Sequence, residues 1–286
     1  MNLAGGAGGG FFDAHCDAPM KVVDLGADFA RGDARLHVTL PALREADVRV
    51  QVFASCSAYP ETPADRAVAR GSAMVDAVWA MAAASDGRMA VATTAADVRA
   101  ALAGGPMAAL IALEGADPLE GRAENLRAYA ARGVRSLVFA WSDNSFSGTA
   151  LGSGGGLSRE GERLLGLAEE LALVVDVSHL SDRAFRDVCR ASTRPFIASH
   201  SNCRSLCAHP RNLTDEMIRE LADRGGVLGV NLAPHFLDPD TLRAYDALRA
   251  EARTRGDAAD ARAEIAARRR ALARPALEQV ARHAAH

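Results

Sequence analysis

Lysine is almost missing from this chain. Of 33 basic residues in 286, only Lys21 is a lysine. A chemistry that needs a lysine ligand has therefore only Lys21 to use, and Lys21 lies beside the first predicted strand. Long apolar runs are also missing. No uninterrupted stretch reaches the ~18 residues of a membrane-spanning helix. Met1–Gly10 is rich in Gly and Ala, with no basic start and no apolar core, so no secretory leader is expected. An excess of charge of one sign is missing too. The formal net charge is −3, which offers no handle to nucleic acid or to an acidic membrane surface. The arginines are matched by acids and fall mostly on helix-like segments, as solvated faces. Cysteine is present as Cys16, Cys56, Cys189, Cys203 and Cys207, an odd number at irregular spacing. That excludes a disulfide framework. Cys203 and Cys207 have no second pair nearby to complete a metal site. Reduced thiols in a cytoplasmic protein are expected.

What is present is a steady alternation. Short apolar runs at Phe11–Cys16, Val48–Ala54, Ala108–Leu113, Ser136–Ala140, Leu173–Ser178, Pro195–Ser199 and Gly226–Leu232 read as strands. Several are near-continuous Val, Ile, Leu and Phe, as parallel strands covered on both faces require. Helical patterns lie between them at Pro63–Ala84, Arg122–Arg132, Arg159–Leu171, Asp182–Ala191 and Asp215–Arg224. Thr214, followed by Asp215 and Glu216, has the capping hydroxyl and first-turn acids of a helix start. Strand-then-helix order predicts a parallel α/β architecture of the (β/α)8 TIM-barrel type, one domain over residues 1–286. The seven strands are one short of closure. Beyond Asp238, Thr241–Ala273 reads as helix with no strand-like run. Ser145–Gly156, rich in Gly and Ser, reads as a flexible loop.

The ionisable residues are placed informatively. His15 and Asp17 follow the first strand as His-x-Asp. Alternate residues of an extended segment point the same way, so both can face one cation. Glu114 ends the third predicted strand, His179 the fifth and His200 the sixth. In a barrel the C-terminal ends of the strands converge on one face, which carries the active site. Imidazoles and carboxylates gathered there make a divalent-metal cage, and nitrogen with oxygen ligands suits zinc.

These segments resemble the membrane dipeptidase (renal dipeptidase) family of metallopeptidases. The resemblance runs from about Phe12 to Phe236. It rests on Asp13-Ala14-His15-Cys16-Asp17, Ala112-Leu113-Glu114-Gly115, Asp176-Val177-Ser178-His179-Leu180-Ser181, Ser199-His200-Ser201 and Arg211-Asn212. The order and the steps of 21 residues from His179 to His200 and 11 to Arg211 fit the family. The resemblance implies a small dipeptide substrate and two zinc ions: His15 and Asp17 on the first, His179 and His200 on the second, Glu114 bridging both. A hydroxide shared by the metals would attack the scissile carbonyl. It further implies that Arg211 grips the substrate's terminal carboxylate, where a guanidinium fork suits a planar anion. Trp141 and Phe236 fall at substrate-side positions. Family members are often homodimers.

Two departures alter these expectations. Trp141 stands where well-known family members have a histidine that polarises the substrate carbonyl, so Trp141 is expected to line the pocket, with Asp143 or Asn144 supplying polarity. The family's Asp-rich segment on its eighth strand (Gly-x-Gly-x-Asp-Phe-Asp-Gly in form) has no counterpart, so the barrel is expected to be truncated, without that strand and the last helix. Pro275–Ala281 resembles the helix before it. Weak or absent catalysis is the first alternative, and a metal-stabilised binding protein is the extreme form of it. Another amidohydrolase is the second, and the His-x-Asp and Glu pattern speaks against the His-x-His and bridging lysine typical there. Asp176 and Ser178 are expected to orient His179 or pack below it, and His37 and His209 to be surface groups.

Overall fold

The runs read as strands do form strands, in a computed structural model that describes residues 10–58, 64–255, 267–268 and 277–286. The chain divides into two compact units, 1–196 and 197–286.

The first unit is built on β1 (Phe11–Cys16), β2 (Val48–Cys56), β3 (Met89–Val91), β4 (Met107–Glu114), β5 (Val134–Val138) and β6 (Val174–Asp176). All pair in parallel, in the order β1-β2-β4-β5-β6. β2 runs along one edge of β4 from Ala108 to Glu114. β3 pairs with Met107–Ala109 and β5 with Ile111–Glu114, so these two share its other edge. β3 escapes sequence reading because three residues in an Ala-rich stretch leave no periodicity to detect.

The helices of this unit are α1 (Ala18–Leu25), α2 (Leu40–Glu45), α3 (Ala64–Ala83), α4 (Ala95–Leu102), α5 (Leu126–Ala131), α6 (Arg159–Glu170) and α7 (Asp182–Ala191). Sequence reading passed over α1, α2 and α4, each of eight residues or fewer. Their start signals are nonetheless local. α2 has Thr39 accepting the Ala42 N–H and Pro41 in its first turn. α4 has a reciprocal capping box between Thr94 and Asp97.

Parallel strands under helices need apolar residues on both faces. β2 and β4 accordingly bury nearly every side chain. Phe53, fully buried, meets Phe29 edge to face with ring centroids 5.4 Å apart. Phe53→Ala should cost about 3–5 kcal/mol of stability. Urea unfolding checks this, and a loss under about 1 kcal/mol would mean that the site collapses around the missing ring.

The second unit holds β7 (Ile197–Ser201) and β8 (Val227–Val230), paired in parallel, with α8 (Asp215–Asp223), α9 (Pro239–Arg255) and α10 (Leu277–Ala285). Thr214 caps α8, accepting the Met217 N–H, as its sequence indicates. His283 on α10 is buried. Its Nδ1 accepts the Cys203 N–H at 3.1 Å, and Leu237 O lies 2.9 Å from its Nε2. Those two bonds suit a neutral ring, and burial pushes its pKa down. No strand follows β8 among the described residues. The helix read over Thr241–Ala273 is seen as far as Arg255, and most of its remainder, like Pro275 and Ala276, lies outside the described residues. All five cysteines are free, and no described helix is long and apolar enough to cross a membrane.

Candidate metal centre

His15 reaches its place through an irregularity. Asp13 pairs with Gln51 and Cys16 with Phe53, so β1 carries one more residue than β2 between the two pairs. Such a bulge bends a strand and re-aims its side chains. Asp13 Oδ1 secures it by accepting the His15 N–H at 3.1 Å. Asp17 is past the strand, at φ −90° and ψ 17°, the position that opens α1. An aspartate there ordinarily caps the helix, but Asp17 makes no cap bond. Its Oδ1 is 3.7 Å from His15 Nε2. The expected pairing of His15 with Asp17 is present, but the expected cause, alternation along an extended strand, is replaced by a bulge and a helix start.

Glu114 ends β4 and is 2% exposed. Gly115 follows at φ +87°, a left-handed conformation where a Cβ would stand 2.8 Å from Asp117 Oδ2, so the chain can turn off the strand here only with glycine. The two carboxylate oxygens of Glu114 meet different rings. Oε2 is 3.6 Å from His15 Nε2, and Oε1 is 3.0 Å from His179 Nε2. His179 follows β6 in a turn closed by Leu180 N–H to Val177 O at 3.1 Å. Its own φ is +73°, a conformation that side chains adopt at a cost and that clusters at functional sites. Buried Asp176, two residues before Ser178, accepts the Ser178 N–H at 2.9 Å.

Burial opposes a positive charge on His15, but Glu114, Asp17 and Asp176 outweigh it and lift its pKa to about 9. In the metal-free protein that shift stabilises the fold fully below pH 6.5, and the contribution is lost as pH rises through about 9. Any metal that His15 is to hold would have to displace the same proton. Zinc affinity should therefore rise by about one log unit per pH unit from 7 to 9. Titration calorimetry at pH 7 in two buffers of different ionisation enthalpy checks this. No buffer dependence would show that His15 gives up no proton to the ion.

In the second unit, β7 repeats the device of β1. Ala198 pairs with Leu228 and Ser201 with Val230, leaving an extra residue around His200. Ser199 Oγ lies 2.7 Å from His200 Nδ1, a contact that orients the ring. Arg211 is 4% exposed, with its Cζ 5.8 Å from the centre of the Phe236 ring. His209, expected at the surface, is buried. Its Nδ1 accepts the Arg211 N–H at 3.1 Å, and its ring centroid is 4.1 Å from that of Phe236. Burial first, then the positive neighbours His235, Arg211, Arg249 and Arg204, push its pKa down to about 3. An isolated histidine carries no local sign of burial, but a ring that accepts a backbone N–H two residues on can be buried. His37 is exposed, as expected. Asn202 and Asn212, which sequence reading did not single out for this role, each donate to the Phe236 carbonyl.

Trp141 packs near His179, centroid to centroid 6.0 Å. Asp143 and Asn144, the expected sources of pocket polarity, bond mainly to the loop that follows them, and Asn144 also donates to Asp117 Oδ2 at 3.3 Å. Asn144 accepts from Phe146 and Ser147 N–H and donates to Phe139 O. Asp143 accepts from Thr149 and Ser153.

Within the first unit, then, two imidazoles and two carboxylates converge, with ligand atoms of His15 and Glu114 within 4.8 Å of each other. Nitrogen and oxygen donors with a surplus of negative charge fit a divalent ion such as zinc. Parallel strands with polar residues at their C-terminal ends are the mark of α/β-barrel enzymes. The chain belongs to the family described as "Membrane dipeptidase (Peptidase family M19)", whose model matches residues 10–286. Among solved structures, a metallo peptidase from Rhodobacter sphaeroides liganded with a phosphinate mimic of the dipeptide L-Ala-D-Ala is 28% identical. It has a TM-score of 0.75 over 81% of this chain and 76% of its own. A dipeptidase named AC is 29% identical, with a TM-score of 0.74 over 81% and 74%. The fold is therefore α/β of the (β/α) barrel type. Among curated relatives, an uncharacterized protein in the pqqA 5′ region of Klebsiella pneumoniae is 37% identical over 170 residues, 57% of this chain and 63% of that one. Dipeptidase verJ of Clonostachys rogersoniana is 33% identical over 144 residues, 49% and 37% of the two lengths. The chain thus matches less than two thirds of either relative's length.

Proposed function

We propose that this chain is a zinc-dependent dipeptidase that hydrolyses the peptide bond of small dipeptides. The observation that carries this is the buried carboxylate of Glu114, with one oxygen turned to His15 and the other to His179. That is the arrangement of a ligand that bridges two ions. On this reading His15 and Asp17 would hold one zinc, His179 and His200 the other, and Glu114 both. Two zinc ions, when bound, supply an activated water near neutral pH and positive charge opposite the developing oxyanion. The chain's residues do the rest. Glu114 would offer one carboxylate oxygen to each side of the site. Trp141, beside His179, closes off a wall of the pocket. Arg211, packed on Phe236 with its backbone held by His209, takes the substrate's terminal carboxylate. The dipeptide mimic bound by the Rhodobacter sphaeroides relative supports including L,D substrates in this class. A cytoplasmic setting, supported by five free cysteines, and homodimeric association belong to the same reading.

The test is an assay of zinc-loaded and chelator-treated protein against L,L and L,D dipeptides, with bound zinc measured on the same samples. Zinc-dependent turnover is expected. Zinc bound without turnover of any dipeptide would favour a non-catalytic homologue, and protein that takes up no zinc would end the metal reading.

A further inference from the structure

The Gly- and Ser-rich segment between β5 and α6 reads from sequence as a flexible loop, but it is held along its length by hydrogen bonds. Asp143 stands at its start. One carboxylate oxygen accepts from both Thr149 N–H (2.7 Å) and Thr149 Oγ (2.9 Å), and the other accepts from Ser153 N–H (2.6 Å). Asp143 is exposed, and although some loss of hydration works against its ionisation, these bonds outweigh that and hold its pKa below the usual carboxylate range. The residue that Asp143 clamps is the one that meets the metal-centre turn. Thr149 forms an antiparallel bridge with Leu180. The next residue, Ala150, donates its N–H to the carbonyl of His179 at 2.9 Å. Ser181 N–H reaches Gly148 O, and Ser181 Oγ reaches Gly155 O at 2.6 Å. His179 is the residue at φ +73°. A side chain is kept in that conformation only where its surroundings over-determine it, and the strand-like pairing of residues 148–150 with 179–181 does so here.

We infer that Asp143 is a positioning residue for His179: by clamping Thr149 it fixes the loop strand that holds the His179 backbone in its left-handed turn, and so sets the imidazole against Glu114. This rests on His179 being a metal ligand, as proposed above. Asp143 touches neither ion nor substrate, so its effect must pass through the geometry and affinity of the site.

The experiment uses the full chain loaded with cobalt(II), whose visible spectrum reports ligand geometry. The variants are Asp143→Ala, which loses all three bonds, and Asp143→Asn, which keeps an oxygen for Thr149 and loses only the Ser153 bond. Asp187→Ala is the control. It removes a carboxylate of α7 that reaches across to the loop and accepts the Leu157 N–H at 2.8 Å, far along the segment from Thr149. His179→Asn tests the underlying assignment. Asp143→Ala is expected to weaken one cobalt ion by about 10- to 100-fold, the usual effect of losing an outer partner of a metal ligand. Its spectrum should change, and Ala150 N–H should exchange faster in the metal-free protein. Asp143→Asn should restore most of the spectrum, and Asp187→Ala should match the wild type. If Asp143→Ala keeps wild-type spectrum and affinity while His179→Asn loses an ion, the positioning role is overturned and the metal assignment stands. If Asp187→Ala shifts the spectrum as much as Asp143→Ala, general loop integrity replaces the specific role. If His179→Asn keeps both ions, the assignment and the inference fall together.

Discussion

Glu114→Gln should lose more zinc affinity than the about 100-fold that removal of an outer partner costs, and turnover should fall by on the order of 10³-fold or more. The replacement keeps the shape of the side chain and removes its charge and one of its two acceptor oxygens. In the present geometry those oxygens serve different rings, at 3.6 Å and 3.0 Å. An amide would have to turn its NH2 toward one of the ions, and a cation repels that group. A second readout needs no metal. Burial opposes the charge on His15, and Glu114 is foremost among the groups that offset it. With that charge gone, the His15 pKa should drop from about 9 toward 6.5 or lower, which NMR titration of the metal-free protein would record. Zinc content and kcat measured on the same preparation give the decisive comparison. Two ions retained with wild-type turnover would strip Glu114 of the bridging role.

Why Glu114 was readable in advance, and Asp143 was not, is a matter of how far each signal travels along the chain. Glu114 closes a continuous apolar strand, and a charge at the end of such a strand stands out against its neighbours. His15, His179 and His200 stand out in the same way. What sequence could not supply was the backbone that aims them. Two bulges, at Ala14–His15 and Ser199–His200, depend on register against β2 and β8, and register is a property of pairs of strands. The left-handed turn at His179 depends on a loop some thirty residues earlier in the chain. Asp143-Asn144 ahead of a Gly-rich run does carry a local sign, since both side chains readily bond to backbone N–H groups a few residues on. Read that way, the segment would have been expected to fold on itself. The short helices were equally local: Thr39 with Pro41, and Thr94 with Asp97, are start signals that a reading fixed on long apolar periodicity passes over. His209 is the opposite case: no pattern marks it, yet it is buried and holds the Arg211 backbone.

The remaining large effect falls on Arg211. Arg211→Met should lower kcat/KM for dipeptides with a free C-terminal carboxylate by about 10²- to 10³-fold, since two charge-assisted hydrogen bonds are worth about 1.5–3 kcal/mol each and do not add fully. Methionine is chosen because the guanidinium lies over the Phe236 ring. A long apolar side chain keeps that packing, so lost binding is not confused with lost folding. Arg211→Lys should restore only part of the loss, because an ammonium cannot present two parallel donors to a carboxylate. The discriminating substrate is the same dipeptide with its C-terminus amidated. The wild type should handle it as poorly as the variant handles the free acid, and Arg211→Met should make it little worse, because the partner of the guanidinium has already been removed. His209, neutral with its pKa near 3, holds the Arg211 backbone at 3.1 Å without adding a second positive charge. If Arg211 reads the substrate carboxylate as proposed, its charge is the only one of the pair, and recognition should persist across the pH range in which that carboxylate is ionised. Equal losses on acid and amide would mean that Arg211 supports the fold around Phe236 and reads no carboxylate.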